Sequence, residues 1–279
     1  MPKRKRGGPI DRFVTPSRKP RSLALNQVEK AQVKTIAKRL DRQGKQICEA
    51  NQTTPRDSGT GTSYANYAFP SVPDALADLM DLVPDIVQGD NREQRLGSKI
   101  KLAAIKLKFW FHIPPANAFT NTNSTLACRL LVLSPKLISK FSTLQSNWGA
   151  GENLRRVYLR DGESPTAFQG DLKSLRFPVN TALFTTHADR SFTLRRGLLK
   201  SGGANGLTHV PDVQKWISMS LKVKSKYLRF SGETDPQCDN YCPFAILLYA
   251  PLNGGIMAPA TDGYVNGNCF VKCQWRNMM

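Results

Sequence analysis

A period-two pattern of apolar residues constrains the fold of this chain more than any other feature. It is clearest in the run KLAAIKLKFWFHIP, which ends at Pro114. Side chains two apart in a strand share one face, so this run predicts a strand with one buried side. The apolar side comprises Ile105, Leu107, Phe109, Phe111 and Ile113, and the other side comprises Lys106, Lys108, Trp110 and His112.

Further strands are predicted along the rest of the chain. STLACRLLVLSP and FAILLYAPL are more continuously apolar than the alternating run, as expected of strands covered on both faces. TALFTTHADRSFTLRR predicts a pair of strands that pivots near Asp189, while WISMSLKVKSKYLRF and YVNGNCFVKCQW predict two later strands. No regular alternation of helix and strand is present, so we expect an all-β sandwich.

We expect one core shared by both sheets, with the loop Gly151–Gly170 contributing surface. The predicted core residues are Ile105, Leu107, Phe109, Leu221, Val223, Ile246 and Leu248.

The N-terminus has a different composition. Residues 1–24 contain eight Lys or Arg, one acid and several prolines, and such a segment cannot bury a core. We therefore predict a disordered basic arm with a polyanion as its partner. Lys3, Arg4, Lys5 and Arg6 also fit a nuclear localisation signal. No apolar run is long enough to span a membrane, and no membrane partner is expected.

A lysine-rich helix is predicted over residues 25–50. Asn26 and Glu29 fit a capping box, and the next glycine is Gly44. Bases at four-residue spacing stack on one side of this helix, where they repel each other unless a phosphate backbone lies along them. The same stripe also fits a surface helix with its lysines in water. The bases are Lys30, Lys34, Lys38 and Arg42, and the apolar side that would dock on protein includes Leu25, Val33, Ile36 and Leu40.

Charge is concentrated at this end of the chain. The whole chain carries a formal charge of +19, and residues 1–46 hold fourteen bases and three acids. We predict that the two basic segments bind nucleic acid without reading its sequence. The predicted contact residues are Lys3, Arg4, Lys5, Arg6, Arg12, Arg18, Lys19, Arg21, Lys30, Lys34, Lys38, Arg42 and Lys45.

Signs of enzymatic chemistry are weak. The three histidines, His112, His187 and His209, have no metal-ligand spacing, and no nucleotide-binding or nucleophile motif is present. His187 and Asp189 lie two apart on a strand, which favours a structural role. We expect no enzyme activity and no cofactor.

Cysteines and loop acids leave alternatives open. Cys238, Cys242, Cys269 and Cys273 could bind zinc or form a disulfide, although buried free thiols are favoured. Loop acids could hold a cation at a subunit contact, and the candidates are Asp161, Glu163 and Asp171.

Four motifs occur in this order along the chain: QVKTIAKRLDRQGKQICEANQ, QGDNREQRLGSKIKLAAIKLKF, FTTHADRSFTLRR and CPFAILLYAPLNGG. Together they resemble the capsid proteins of circular single-stranded DNA viruses that encode a replication protein, the circovirus-like group. QGDNREQRLGSKIKLAAIKLKF is similar to the segment leading into the first sandwich strand of that group. FTTHADRSFTLRR resembles a strand that Asp-Arg interrupts before FTL, and CPFAILLYAPLNGG follows in matching order. QVKTIAKRLDRQGKQICEANQ looks like the lysine-rich helix of several members.

The resemblance implies a single jelly roll of eight antiparallel strands at residues 97–279, after a linker and lead-in segment at residues 51–96. It also implies an icosahedral shell of about 60 copies, a lumenal arm, a packaged single-stranded DNA genome, and residence in the virion and host nucleus. Host nuclear import machinery would then be a partner. The alternatives are a cellular nucleic-acid-binding protein with a β-sandwich or OB-like body, and the jelly-roll coat protein of an RNA virus.

Overall fold

The computed structural model describes residues 30–36, 48–54, 67–69, 79–91, 93–113, 125–149, 154–195, 199–202, 206–209, 214–221, 223, 226–256 and 265–278. The chain forms two compact units, Met1–Gln43 and Gly44–Met279. The first unit contributes helix α1, described over residues 30–36. All of the described strands belong to the second unit.

Strands dominate the second unit. In chain order they are β1 (Cys48–Thr54), β2 (Tyr67–Phe69), β3 (Met80–Asp81), β4 (Lys99–His112), β5 (Thr125–Pro135), β6 (Leu159–Asp161), β7 (Ser164–Thr166), β8 (Phe184–Arg195), β9 (Leu199–Gly202), β10 (Gly206–His209), β11 (Lys215–Leu221), β12 (Tyr227–Arg229), β13 (Phe244–Pro251) and β14 (Val265–Asn277). The helical segments are α2 (Phe141–Gly149), a 3₁₀ turn (Leu154–Arg156) and α3 (Leu172–Leu175).

Two antiparallel sheets organise these strands. The six-stranded sheet follows the order β1-β14-β4-β11, with β2 added to β14 and β12 added to β4. The four-stranded sheet follows the order β3-β13-β5-β8. Strands β6 and β7 form one separate small pair, and β9 and β10 form another. The prediction of an all-β fold with antiparallel sheets is confirmed.

The main core lies between the two sheets. Ile105, Leu107 and Phe109 of β4 are at most 2% exposed, as the alternation predicts, and Leu221 belongs to the same cluster. Val223 is partly buried against it. The four-stranded sheet contributes the inward side chains Leu126, Cys128, Leu130, Val132, Ala245, Leu247 and Tyr249.

A second core covers the other face of the four-stranded sheet. Ile246 and Leu248 belong to it, so their predicted place in a single shared core is corrected. The reason is that β5 and β13 are buried on both sides, and residues alternate between two apolar environments along each strand. The covering layer comes from the segment between β5 and β8, which includes α2, the 3₁₀ turn and α3.

The segment Gly151–Gly170 is partly core rather than surface. Tyr158, Leu159 and Phe168 are each at most 2% exposed, and the backbone N–H of Phe168 donates to the Tyr158 hydroxyl at 3.2 Å. Trp148 of α2 packs with its ring centre 5.5 Å from that of Tyr158. The prediction that this loop contributes surface is therefore wrong at these positions.

Three local features differ from the sequence prediction. Strand β1 occupies Cys48–Thr54, where the end of the helix and the start of the linker were predicted, and it pairs with β14 over its full length. Because β1 and β3 precede β4 in the two sheets, β4 is not the first sandwich strand. The predicted strand pair around Asp189 is one continuous strand, β8, with a register shift opposite Val132 and Leu133.

Candidate nucleic-acid interface

Only two of the predicted nucleic-acid-binding residues lie in the described part of the chain. Lys30 and Lys34 are both exposed on α1 and lie one turn apart, on one side of the helix. Val33 and Ile36 are 51% and 56% exposed, so their docking on protein stays a prediction. The predicted contacts outside the described residues are Lys3, Arg4, Lys5, Arg6, Arg12, Arg18, Lys19, Arg21, Lys38, Arg42 and Lys45.

The body of the protein carries a basic surface of its own. It is the outer side of the six-stranded sheet, where β4, β11, β12 and β14 present the residues that alternate with the buried ones. We call this surface the basic face. Its members are Lys99, Lys101, Lys106, Lys108, Trp110, His112, Trp216, Tyr227, Arg229, Phe270, Lys272 and Arg276.

Strand register brings its positive charges together. Lys106 of β4 lies directly opposite Lys272 of β14, and Lys108 lies opposite Phe270. Like charges facing each other across a strand pair destabilise a sheet unless an anion offsets them. The described strands of this sheet contain a single acid, Glu49 of β1, which pairs in register with Gln274. The described strands of this sheet therefore carry many more bases than acids.

Aromatic rings lie among these bases. Trp110 and Trp216 face each other across β4 and β11, with ring centres 5.9 Å apart. The His112 ring stacks on Trp110 at 4.5 Å, and the Trp110 indole N–H donates to Gln214 Oε1 at 3.1 Å. Lys108 Nζ lies 4.6 Å from the centre of the Trp216 ring.

A second aromatic contact lies further along β4. Lys99 Nζ is 4.7 Å and Lys101 Nζ 6.0 Å from the ring centre of Tyr227. Phe270 remains 41% exposed and Trp216 48% exposed, although both are large and apolar. Bases interleaved with exposed aromatics give a surface that can hold both phosphates and flat rings.

The sequence indicated only part of this surface. The alternation predicted that Lys106, Lys108, Trp110 and His112 face away from the core, and they do. Trp216, Phe270 and Lys272 were missed as partners because only the strand register brings them beside β4. Their own period-two patterns would have placed them on an outer face, but not beside those lysines.

His187 and Asp189 are held by different partners. His187 Nε2 lies 2.8 Å from Ser134 Oγ, and burial lowers the pKa of His187. Asp189 receives two hydrogen bonds from the Arg129 guanidinium, at 2.8 and 2.6 Å. Arg129 also donates to the carbonyls of Leu175 and Phe177, so the pair fastens the covering layer to the sheet.

Cys238, Cys242, Cys269 and Cys273 are buried thiols that form no disulfide. Burial raises the pKa of both Cys238 and Cys242 to about 12, which keeps these thiols protonated near neutral pH. Within the described residues, no group of His, Cys, Asp or Glu could hold a metal ion.

The loop acids have structural contacts. Asp171 caps α3, where its Oδ1 accepts from the Ser174 backbone N–H at 2.7 Å and from the Ser174 hydroxyl. These bonds lower the pKa of Asp171. Asp161 pairs with Lys173 at 3.3 Å, and Glu163 is exposed.

No protein-family model matches the chain, and no curated protein is significantly similar to it. Among the described residues, no helix is both long and apolar enough to cross a membrane.

Proposed function

We propose that this chain is a viral capsid protein that folds as an eight-stranded jelly roll and assembles with copies of itself into an icosahedral shell. The shell packages single-stranded DNA, and the basic N-terminal segment lies on the inside. Lys3, Arg4, Lys5 and Arg6 direct the chain to the host nucleus, where assembly takes place.

Strand pairing is the observation that carries this proposal. A jelly roll is one long hairpin of eight strands, rolled so that strands 1 and 8, 2 and 7, 3 and 6, and 4 and 5 pair. The strands along the two sheet orders are, by position in the chain, β1, β3, β4, β5, β8, β11, β13 and β14. The pairs β1–β14, β3–β13, β4–β11 and β5–β8 are all present and antiparallel.

Two further pairings support the rolled arrangement. β14 also pairs with β4, and β13 also pairs with β5. These contacts join strand 8 of the rolled hairpin to strand 3, and strand 7 to strand 4. Each sheet therefore contains two of the four hairpin pairs. A sandwich with this order is a common building block of viral shells.

Charge supports the packaging role. The basic segment comes before β1 in the sequence. β1 is the first strand in the order of the six-stranded sheet, and this sheet carries the basic face. Coat subunits condense a polyanion without reading its sequence, so flexible charge is sufficient for the task. A coat protein of an RNA virus shares this plan, and the choice of single-stranded DNA rests on the resemblance of the sequence motifs.

A cellular nucleic-acid-binding protein is the second candidate. The aromatic and basic residues of the basic face favour it, since such surfaces bind single strands in OB-folds. An OB-fold is a partly open barrel of five strands, however, whereas this body has two sheets with a core between them. Shell formation separates the two candidates.

Deleting residues 1–24 tests the role of the arm. The deletion removes eight bases and one acid. The slope of log affinity against log salt for single-stranded DNA should fall by up to about 5, and nuclease-protected DNA per particle should fall with it. Fluorescence anisotropy over a salt series measures the slope.

The matched control carries the same arm residues in scrambled order. It should bind and package like the parent, since charge and not sequence acts in the arm. A deletion variant with the parent's salt slope would contradict the proposed role.

A further inference from the structure

On the basic face, two lysines lie at a spacing that suits the phosphates of an extended nucleic acid strand, and aromatic rings are exposed beside them. Lys106 and Lys108 lie two residues apart on β4, which separates them by about 6.8 Å. That is roughly twice the 3.4 Å rise per phosphate along one strand of duplex DNA. A row of lysines at this spacing fits an extended strand whose bases are no longer stacked on each other.

We propose that the basic face binds single-stranded nucleic acid, with unpaired bases stacking on Trp216 and phosphates held by Lys106, Lys108 and Lys272. This inference deepens the proposed capsid function and rests on it. It assigns a binding surface to the folded body, in addition to the N-terminal segments.

Trp216 is the centre of the site. It lies on β11, at one end of the sheet order, and remains 48% exposed beside Trp110. Lys108 Nζ lies over its ring at 4.6 Å. Because a lysine stem is long and flexible, this ammonium can follow a phosphate while the ring that it leaves accepts a base.

Charge identifies the class of ligand. The described strands of the sheet carry seven Lys or Arg on this face, against the single acid Glu49. Contact with a second copy of the same face would bring these bases against each other, which disfavours a symmetric protein contact. A polyanion with accessible bases can bind the positive side chains through its phosphates and stack its bases on the tryptophans of this face.

Stacking makes the face selective for single strands. In a duplex the bases are already stacked and paired, so Trp216 cannot reach their flat sides without unpairing them. A base stacked on an aromatic side chain contributes an affinity gain of roughly 5- to 150-fold. The N-terminal segments, by contrast, bind phosphate charge and therefore bind both single strands and duplexes.

Tryptophan fluorescence of the full-length chain tests the site. Of the four tryptophans, Trp148 and Trp275 are fully buried, so quenching by an oligonucleotide reports on Trp110 and Trp216. The probes are a thymidine oligonucleotide of about 12 residues and a mixed-sequence duplex of equal total charge, in about 0.5 M salt to weaken the arm.

We expect the single strand to quench the parent and the duplex to leave its fluorescence unchanged. Trp216→Ala should bind the single strand roughly 5- to 150-fold more weakly, with duplex affinity unaltered. Trp216→Phe should retain most of the preference for single strands. The control Leu137→Ala alters a residue that is 85% exposed outside the basic face, and should match the parent.

Other outcomes decide against the site or separate it from the capsid function. If Trp216→Ala keeps the parent's affinity for the single strand, the inference fails. If it changes the oligomeric state without changing oligonucleotide binding, the face is a contact between copies and the inference again fails. If the expected binding pattern holds but the parent forms no shells, the site stands and the capsid function falls.

Discussion

Replacing Arg95 with methionine is expected to lower the free energy of unfolding of the body by about 3–5 kcal/mol. Arg95 is 0% exposed, and its guanidinium lies 4.4 Å from the centre of the Phe230 ring. The side chain connects the segment before β4 to the segment after β12. We therefore expect this single substitution to loosen the whole end of the sandwich where these segments meet.

The hydrogen bonds of Arg95 explain the size of the effect. Its donors reach Ile86 O, Gln88 Oε1, Gly97 O, Gly232 O, Glu233 O and Asp235 O, at distances between 2.6 and 3.2 Å. Five of these acceptors are backbone carbonyls, which no substitution can remove. Methionine fills part of the volume but leaves the carbonyls without a donor, and each buried unsatisfied group costs about 1–3 kcal/mol.

Two further variants serve as controls. One keeps the positive charge at position 95, and the other makes the same Arg-to-Met change at an exposed position. Arg95→Lys keeps the charge but lacks the planar fork of donors, so it should also destabilise. Arg229→Met removes an exposed arginine of β12 and should change the free energy of unfolding by less than about 0.5 kcal/mol. Denaturant unfolding of unassembled subunits measures all three. Equal stability of Arg95→Met and Arg229→Met would show that the buried bonds are dispensable.

Phe168→Ala is expected to cost about 3–5 kcal/mol, because its ring fills the second core. Phe168 is 2% exposed and lies in the layer that covers the four-stranded sheet. Truncation leaves a cavity beside Tyr158, whose hydroxyl accepts the Phe168 backbone N–H. Shell yield should fall with stability, because the covering layer then no longer packs firmly on the sheet.

Glu163→Ala is the matched control in the same segment. Glu163 is exposed at the β6–β7 turn, and its removal should change stability by less than about 0.5 kcal/mol. Thermal melting of unassembled subunits compares the two variants. If Phe168→Ala melts like the parent, the second core contributes little and Gly151–Gly170 behaves as a surface loop after all.

The period-two pattern of β4 predicted the inner face of the six-stranded sheet because one side of that sheet is buried and the other is open. The covering layer was missed because its apolar residues, such as Tyr158 and Phe168, come from short turns with no regular period. Strand β1 was missed because CEANQTT is mostly polar, and its place in the sheet depends on pairing with β14.

For the basic face, too, the sequence predicted one part and missed another. The outward direction of Lys106 and Lys108 follows from local alternation. Their contacts with Lys272 and Trp216 depend on the register between strands that are more than a hundred residues apart in sequence. Arg95 was noted as part of a motif, but its role as a buried donor appears only when Gly232 and Asp235 are brought beside it.

Electron microscopy of the purified chain is the decisive test of the proposed capsid function. We expect closed shells of uniform diameter with icosahedral symmetry, containing nuclease-protected nucleic acid, and sedimentation as one large species. A full-length chain that stays monomeric or dimeric across salt and concentration, with and without single-stranded DNA, would contradict the capsid function.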